Sequence, residues 1–188
     1  MKIVGCDPSL TCTGVVGLTL GVAYPLVVRS LRTPSDGAAA ASLRVRWNRI
    51  GVINHRFGEI LDKLDDLPGP LVVVMEAHDF QTSRETGGHA HDRGGLWWQL
   101  AGTAFAYGAQ VVQIHPPQLK IYATGNGRAD KPEVQAAAEA TYGISFANDN
   151  EADAYILAAI GCEVAGRPLA DVGPERRRAL DAVHWTVR

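Results

Sequence analysis

At 188 residues, 46% hydrophobic and 20% charged, the chain has the composition of a single globular domain with a sizeable core. No apolar run approaches the roughly 18 residues that a membrane span needs, and Asp7 interrupts the stretch a secretory leader would continue. The expectation is therefore a cytoplasmic protein with no membrane partner, its cysteines (Cys6, Cys12, Cys162) reduced thiols and not a disulfide frame or zinc site. A net charge of −2 argues against a uniformly basic nucleic-acid binder, although Lys and Arg gather around 84–93, 120–131 and 176–178.

Residues 1–8 form a short apolar run ending at Asp7-Pro8, where the proline favours extended backbone at the preceding residue. Two β-rich runs follow, Gly14–Leu20 and Val22–Leu31, and the three together predict an antiparallel meander. Pro34–Ala41 reads as a loop. Ser42 then caps a long helix carrying Leu43, Trp47, Ile50, Ile53, Phe57, Ile60, Leu61 and Leu64 at spacings of three and four. Leu71–Glu76 is a continuous apolar run ending in an acid, as in a strand buried on both faces. A polar, glycine-rich loop is expected over 77–93, then a helix over Leu96–Tyr107 and a strand over Gln110–Ile114. Helices are expected over Pro132–Tyr142, Asn148–Val164 and Glu175–Val183. This alternation implies an α/β fold with a mixed sheet flanked by helices, 1–188 forming one domain and the helix at about 174–185 an appendage.

Acids mark the ends of these elements. Asp7 closes the first strand and Glu76 the fourth, so adjacent strands would bring both carboxylates to one edge. A third group, Asn148-Asp149-Asn150-Glu151-Ala152-Asp153, opens a late helix. At roughly 100° per residue, Asp149 and Asp153 share a face of that helix while Glu151 points away. Taken singly, each acid reads as a turn residue or a helix cap. Taken together they form a cluster that repels itself unless a cation neutralises it. Hard oxygen ligands select Mg²⁺, with Mn²⁺ able to substitute, and a pair of such ions about 4 Å apart serves phosphodiester hydrolysis. Lys120, Arg128 and Lys131 place cations around a Gly-Asn-Gly turn, which is expected to be flexible and to approach a phosphate backbone.

Four blocks in order resemble the RuvC family of the ribonuclease H-like superfamily. Ile3-Val4-Gly5-Cys6-Asp7-Pro8-Ser9 through Thr13-Gly14 resembles the family's opening G-I-D-P-G-x-x-x-T-G, with Ser9 in place of a glycine. Val73-Val74-Met75-Glu76 resembles its second acidic strand. Pro116 through Lys120 and Gly125 through Lys131 resemble its P-x-x-x-K and G-x-G-x-x-x-K stretches, and Asn150 through Ala154 its terminal acidic helix. The resemblance implies a five-stranded ribonuclease H-like sheet and a homodimer. Its activity would be a Mg²⁺-dependent endodeoxyribonuclease that cuts Holliday junctions by paired nicks in DNA recombination and repair. It carries Asp7, Glu76 and Asp153 over as metal ligands, and Lys120 and Lys131 as phosphate-facing lysines, Lys131 with a catalytic role. The family's fourth acid falls on Asn150, and Asp149, one residue earlier, is read as its substitute. The family's aromatic wedge is matched most nearly by Phe80.

Arg84 and Arg93, in the 77–93 loop with Phe80, are further candidates for DNA contact. His89-Ala90-His91-Asp92 reads as loop polarity before a metal site, Trp97-Trp98 as core or dimer packing, and Arg176-Arg177-Arg178 as a solvated face. Walker A, HExxH and GxSxG motifs are absent, and no nucleotide cofactor is expected. Competing readings are a broader branched-DNA or RNA/DNA-hybrid nuclease, a branched-DNA-binding protein, and an actin- or sugar-kinase-like phosphotransferase. The last needs two such lobes to enclose ATP.

Overall fold

Five strands make one sheet in the order β3-β2-β1-β4-β5: β1 (Lys2–Asp7), β2 (Cys12–Thr19), β3 (Val27–Arg32), β4 (Leu71–Glu76) and β5 (Gln110–Ile114). The first three pair antiparallel, and β4 and β5 run parallel to β1, so the sheet is mixed as the sequence implied. The computed structural model describes residues 1–20, 27–32, 41–78, 90–181 and 183, side chains at 27–29 excepted. The start of the predicted third strand, most of the Pro34–Ala41 loop, and Phe80, Arg84 and His89 lie outside the described residues.

Alternation along the buried strands sorts side chains to two cores. Val4, Cys6, Val73 and Met75 face α1 (Leu43–Asp65) and α2 (Ala90–Ala106), where Phe57, Leu61, Trp97 and Leu100 close the layer. Ile3, Val72, Val74 and Ile114 face α3 (Pro116–Thr124), α4 (Lys131–Tyr142) and α5 (Asp149–Val164). Each buried Val, Leu or Phe stabilises the fold by roughly 1.5–3 kcal/mol. Ser42 caps α1 as expected, accepting from the Val45 amide at 3.4 Å.

Three elements depart from expectation. The helix expected from Leu96 begins at Ala90 and takes in the end of the segment expected as loop, together with Gly94 and Gly95. In its first turn Asp92 is buried against Arg46, whose Nε and Nη2 donate at 2.6 and 2.5 Å. Helix α3 went unread because Pro116-Pro117 resembles a break. Prolines fit the first helical turn, which needs no amide donor, and the Gln118 side chain accepts from the His115 amide at 2.9 Å. The final helix is α6 (Gly173–Arg177) with one 3₁₀ turn, Arg178–Leu180, shorter than Glu175–Val183. Its arginines are not a solvated face. Arg176 donates to the Tyr122 carbonyl, Arg177 pairs with Glu163 and Asp171, and Arg178 donates to the Gly125 carbonyl.

Candidate metal centre

The strand period that fills the cores also aims the acids. Ile3, Gly5 and Asp7 project to the α5 side of β1, and Val72, Val74 and Glu76 project to the same side of β4. Cys6 pairs with Met75 in the parallel ladder, so one further step sets Asp7 beside Glu76. Beyond Asp7 the chain turns back at Pro8. The buried Thr13 holds this turn, its hydroxyl donating to the Ser9 carbonyl at 2.7 Å and accepting from the Ser9 amide at 3.2 Å. On the other side, the Trp97 indole donates to the Glu76 carbonyl at 2.9 Å and fixes the end of β4.

The third acid arrives on α5, which lies directly on the sheet because two glycines leave room for its backbone. A Cβ on Gly5 would fall 1.9 Å from the Ala154 carbonyl oxygen, and one on Gly14 would fall 1.9 Å from that of Asn150. Gly14 is the ladder partner of Asp7, so the first turn of α5 is seated across the strand from that carboxylate. Asn148 caps the helix, accepting from the Glu151 amide at 3.1 Å. Glu151 turns toward β3 and accepts from Ser30, leaving Asp153 to face the strand ends.

Asp7, Glu76 and Asp153 line one cavity of about 330 Å³ with Asn150, Lys120 and Lys131. Among the described residues no group of three or more His, Cys, Asp or Glu side chains is placed so that it could hold a metal ion. The carboxylates instead bound an open cleft. Burial raises Asp7 well above the usual carboxylate range, and the charges of Glu76 and Asp153 add to that, while Lys131 opposes it. Burial, with the charge of Asp153, pushes Glu76 up to about 7 against the pull of Lys131 and Lys120. Burial pushes Asp153 up to about 6. Three carboxylates that resist ionisation in one cavity are groups whose charge a hard cation would relieve.

The remaining predicted residues distribute unevenly. Lys120 lies on α3 and Lys131 opens α4, both at the cavity. Asp149 pairs with Lys131 instead of lining the cavity, and Asn150 lines it. Hydrogen bonding to Lys131 holds the Asp149 carboxyl below its ordinary range. Arg128 is exposed in the turn between α3 and α4, which is hydrogen-bonded and not slack: Asn126 accepts from the Arg128 amide at 3.0 Å and Gly125 closes α3 at φ +82°. Arg93 lines an adjoining cavity with Pro8, Glu76, His78 and Trp97. Sequence reasoning missed Ser9 in the cavity wall, the Trp97 bond to Glu76, and the seating of α5 on Gly5 and Gly14. Of these, only the glycines left a sequence trace, inside the opening motif.

No protein-family model matches the chain. Among characterised proteins it is similar to the crossover junction endodeoxyribonuclease RuvC of Corynebacterium efficiens, 30% identical over 169 residues covering 86% of this chain and 69% of that protein. It is likewise similar to that of Corynebacterium jeikeium, 30% identical over 84% of this chain and 91% of that protein. Among solved structures it resembles Thermus thermophilus RuvC, with a TM-score of 0.63, 20% identity and coverage of 97% and 98% of the two chains. It also resembles that enzyme in complex with a Holliday junction substrate, with a TM-score of 0.64 and 22% identity over 89% and 97%. The fold is thus the ribonuclease H-like one that the sequence implied.

Proposed function

The chain belongs to the RuvC family of crossover junction endodeoxyribonucleases, and we propose from this that it is a metal-dependent endonuclease resolving four-way DNA junctions by paired nicks. The observation that carries the reading is the meeting of Asp7, Glu76 and Asp153 on one cavity edged by Lys120 and Lys131. Carboxylates on the protein repel a phosphate, so acids in a DNA cleft need a cation between the two. Asp7, Glu76 and Asp153 would hold Mg²⁺ or Mn²⁺, two ions by the carboxylate count, with the fourth position at Asp149 or Asn150. Bound there, the ions supply an activated water and neutralise the leaving oxygen.

The chain's own groups do the rest. Lys120 and Lys131 face the cavity and draw the scissile phosphate against the acids, while Arg128 and Arg93 on the flanking elements hold adjacent phosphates. Phe80 and Arg84 are further candidates for DNA contact on the sequence alone. Paired nicks need two centres, and α2 offers a surface for a second copy. Gly95, Trp98, Gly102 and Phe105 recur at helical spacing, and Trp98 and Phe105 are 63% and 56% exposed. Aromatic knobs alternating with glycine gaps make a self-complementary stripe. No helix of the described residues is long and apolar enough to cross a membrane.

Labelled four-way, flap and linear duplexes, incubated with Mg²⁺ or EDTA, test the reading. Symmetric nicks in the four-way substrate alone, abolished by EDTA, are expected. Equal cutting of flaps would shift the reading to a broader branched-DNA nuclease. Binding without cutting under any divalent ion would leave a junction-binding protein.

A further inference from the structure

Lysine is the wrong residue for the start of a helix. The positive end of the α4 backbone dipole opposes a cation there, and Asp130 and Glu133 already satisfy the first-turn amides through a reciprocal capping box. Lys131 nonetheless opens α4, two-thirds exposed, and its ammonium is ion-paired with Asp149 at the first position of α5. An ion pair this exposed contributes little to stability. What it does fix is direction, because it tethers a long, rotatable side chain to the helix that carries Asp153. The same ammonium lies close enough to Asp7, Glu76 and Asp153 to lower the pKa of each.

We propose that Asp149 is a positioning residue for Lys131: it holds the ammonium over the cavity bounded by Asp7, Glu76 and Asp153, and does not itself ligate the metal. This rests on the metal-nuclease reading above. Asn150, not Asp149, lines the cavity, and its backbone carbonyl sits over Gly14. The acid one residue earlier spends its charge on the lysine. The hydrogen bond from Lys131, and after it the backbone amides of Asp149 and Asn150 at the amino end of α5, favour the ionised Asp149 carboxyl.

The test is a cycle of four proteins: parent, Asp149→Asn, Lys131→Ala and the double variant. Each is measured for Mn²⁺ affinity by calorimetry without DNA, and for kcat and KM on a labelled four-way junction. Asp149→Asn should leave Mn²⁺ affinity within about threefold and lower kcat about tenfold, with KM little changed. In the Lys131→Ala background the same substitution should add less than about twofold. Asp149→Glu, which keeps the tether, should recover most of the rate. An Mn²⁺ affinity that falls by about tenfold or more with Asp149→Asn in both backgrounds would make Asp149 a ligand and overturn the proposal. So would rate losses that multiply independently. A parent that binds no Mn²⁺ would instead overturn the metal reading, and the proposal with it.

Discussion

On one side of the sheet α1 and α2 meet β1 and β4 through Phe57, Leu61, Leu100 and Trp97, side chain against side chain. On the other, α5 meets β1 and β2 with its main chain, carbonyl oxygens resting where Gly5 and Gly14 lack a Cβ. Interlocked side chains can yield by changing rotamer, so the first side tolerates adjustment. Contact between backbones has no rotamer to change. Both sides bury an apolar core, and the α5 side in addition sets the position of Asp153 and Asn150 relative to Asp7.

Substitutions can break this division. The largest effect belongs to the carboxylates themselves: Asp7→Asn, Glu76→Gln and Asp153→Asn should each reduce junction cleavage by at least about 100-fold. Thermal stability should hold or rise, since each removes a repelling buried charge. Cleavage at the parent rate by any one would remove that residue from the ligand set. Gly14→Ala should come next. It forces the Asn150 carbonyl away, reducing cleavage by about tenfold or more and destabilising the fold by about 1–3 kcal/mol. If it lost stability but cut normally, α5 would not be the positioning element.

Leu100→Ala, on the opposite side, should invert that pattern. Chemical denaturation should show a loss of about 2–5 kcal/mol, with cleavage by the folded protein close to the parent rate. The smallest effect is that of pH. Asp7 is held well above the carboxylate range, Glu76 at about 7 and Asp153 at about 6, all higher than in an unfolded chain. A raised carboxylate favours the folded state while protonated and loses that advantage as pH climbs through its folded value. The metal-free melting midpoint should therefore drop by a few degrees between pH 5.5 and 8, and added Mg²⁺ should restore more at the upper end. A midpoint that rose with pH in EDTA would contradict the buried repulsion.

Much of this was legible in the sequence. Strand period and end-placement located Asp7 and Glu76, and helical angle turned Glu151 away from the site. Other parts depend on neighbours distant in the chain. Helical arithmetic put Asp149 on the same face as Asp153, yet its partner is Lys131, brought in by a separate helix. Pro116-Pro117 opens α3 because a first turn needs no amide, which the dipeptide alone does not reveal. Arg176, Arg177 and Arg178 looked solvated until the carbonyls and acids they bind came within reach.

Trp97 and Trp98 are consecutive residues with opposite duties, their rings edge to face at a centroid separation of 5.1 Å. One grips the main chain at Glu76; the other stands in solvent on the stripe offered to a second copy. The exposed stripe and the end of β4 are thereby joined through one turn of α2. Whatever docks on that stripe sits one residue from the indole that holds the main chain of Glu76.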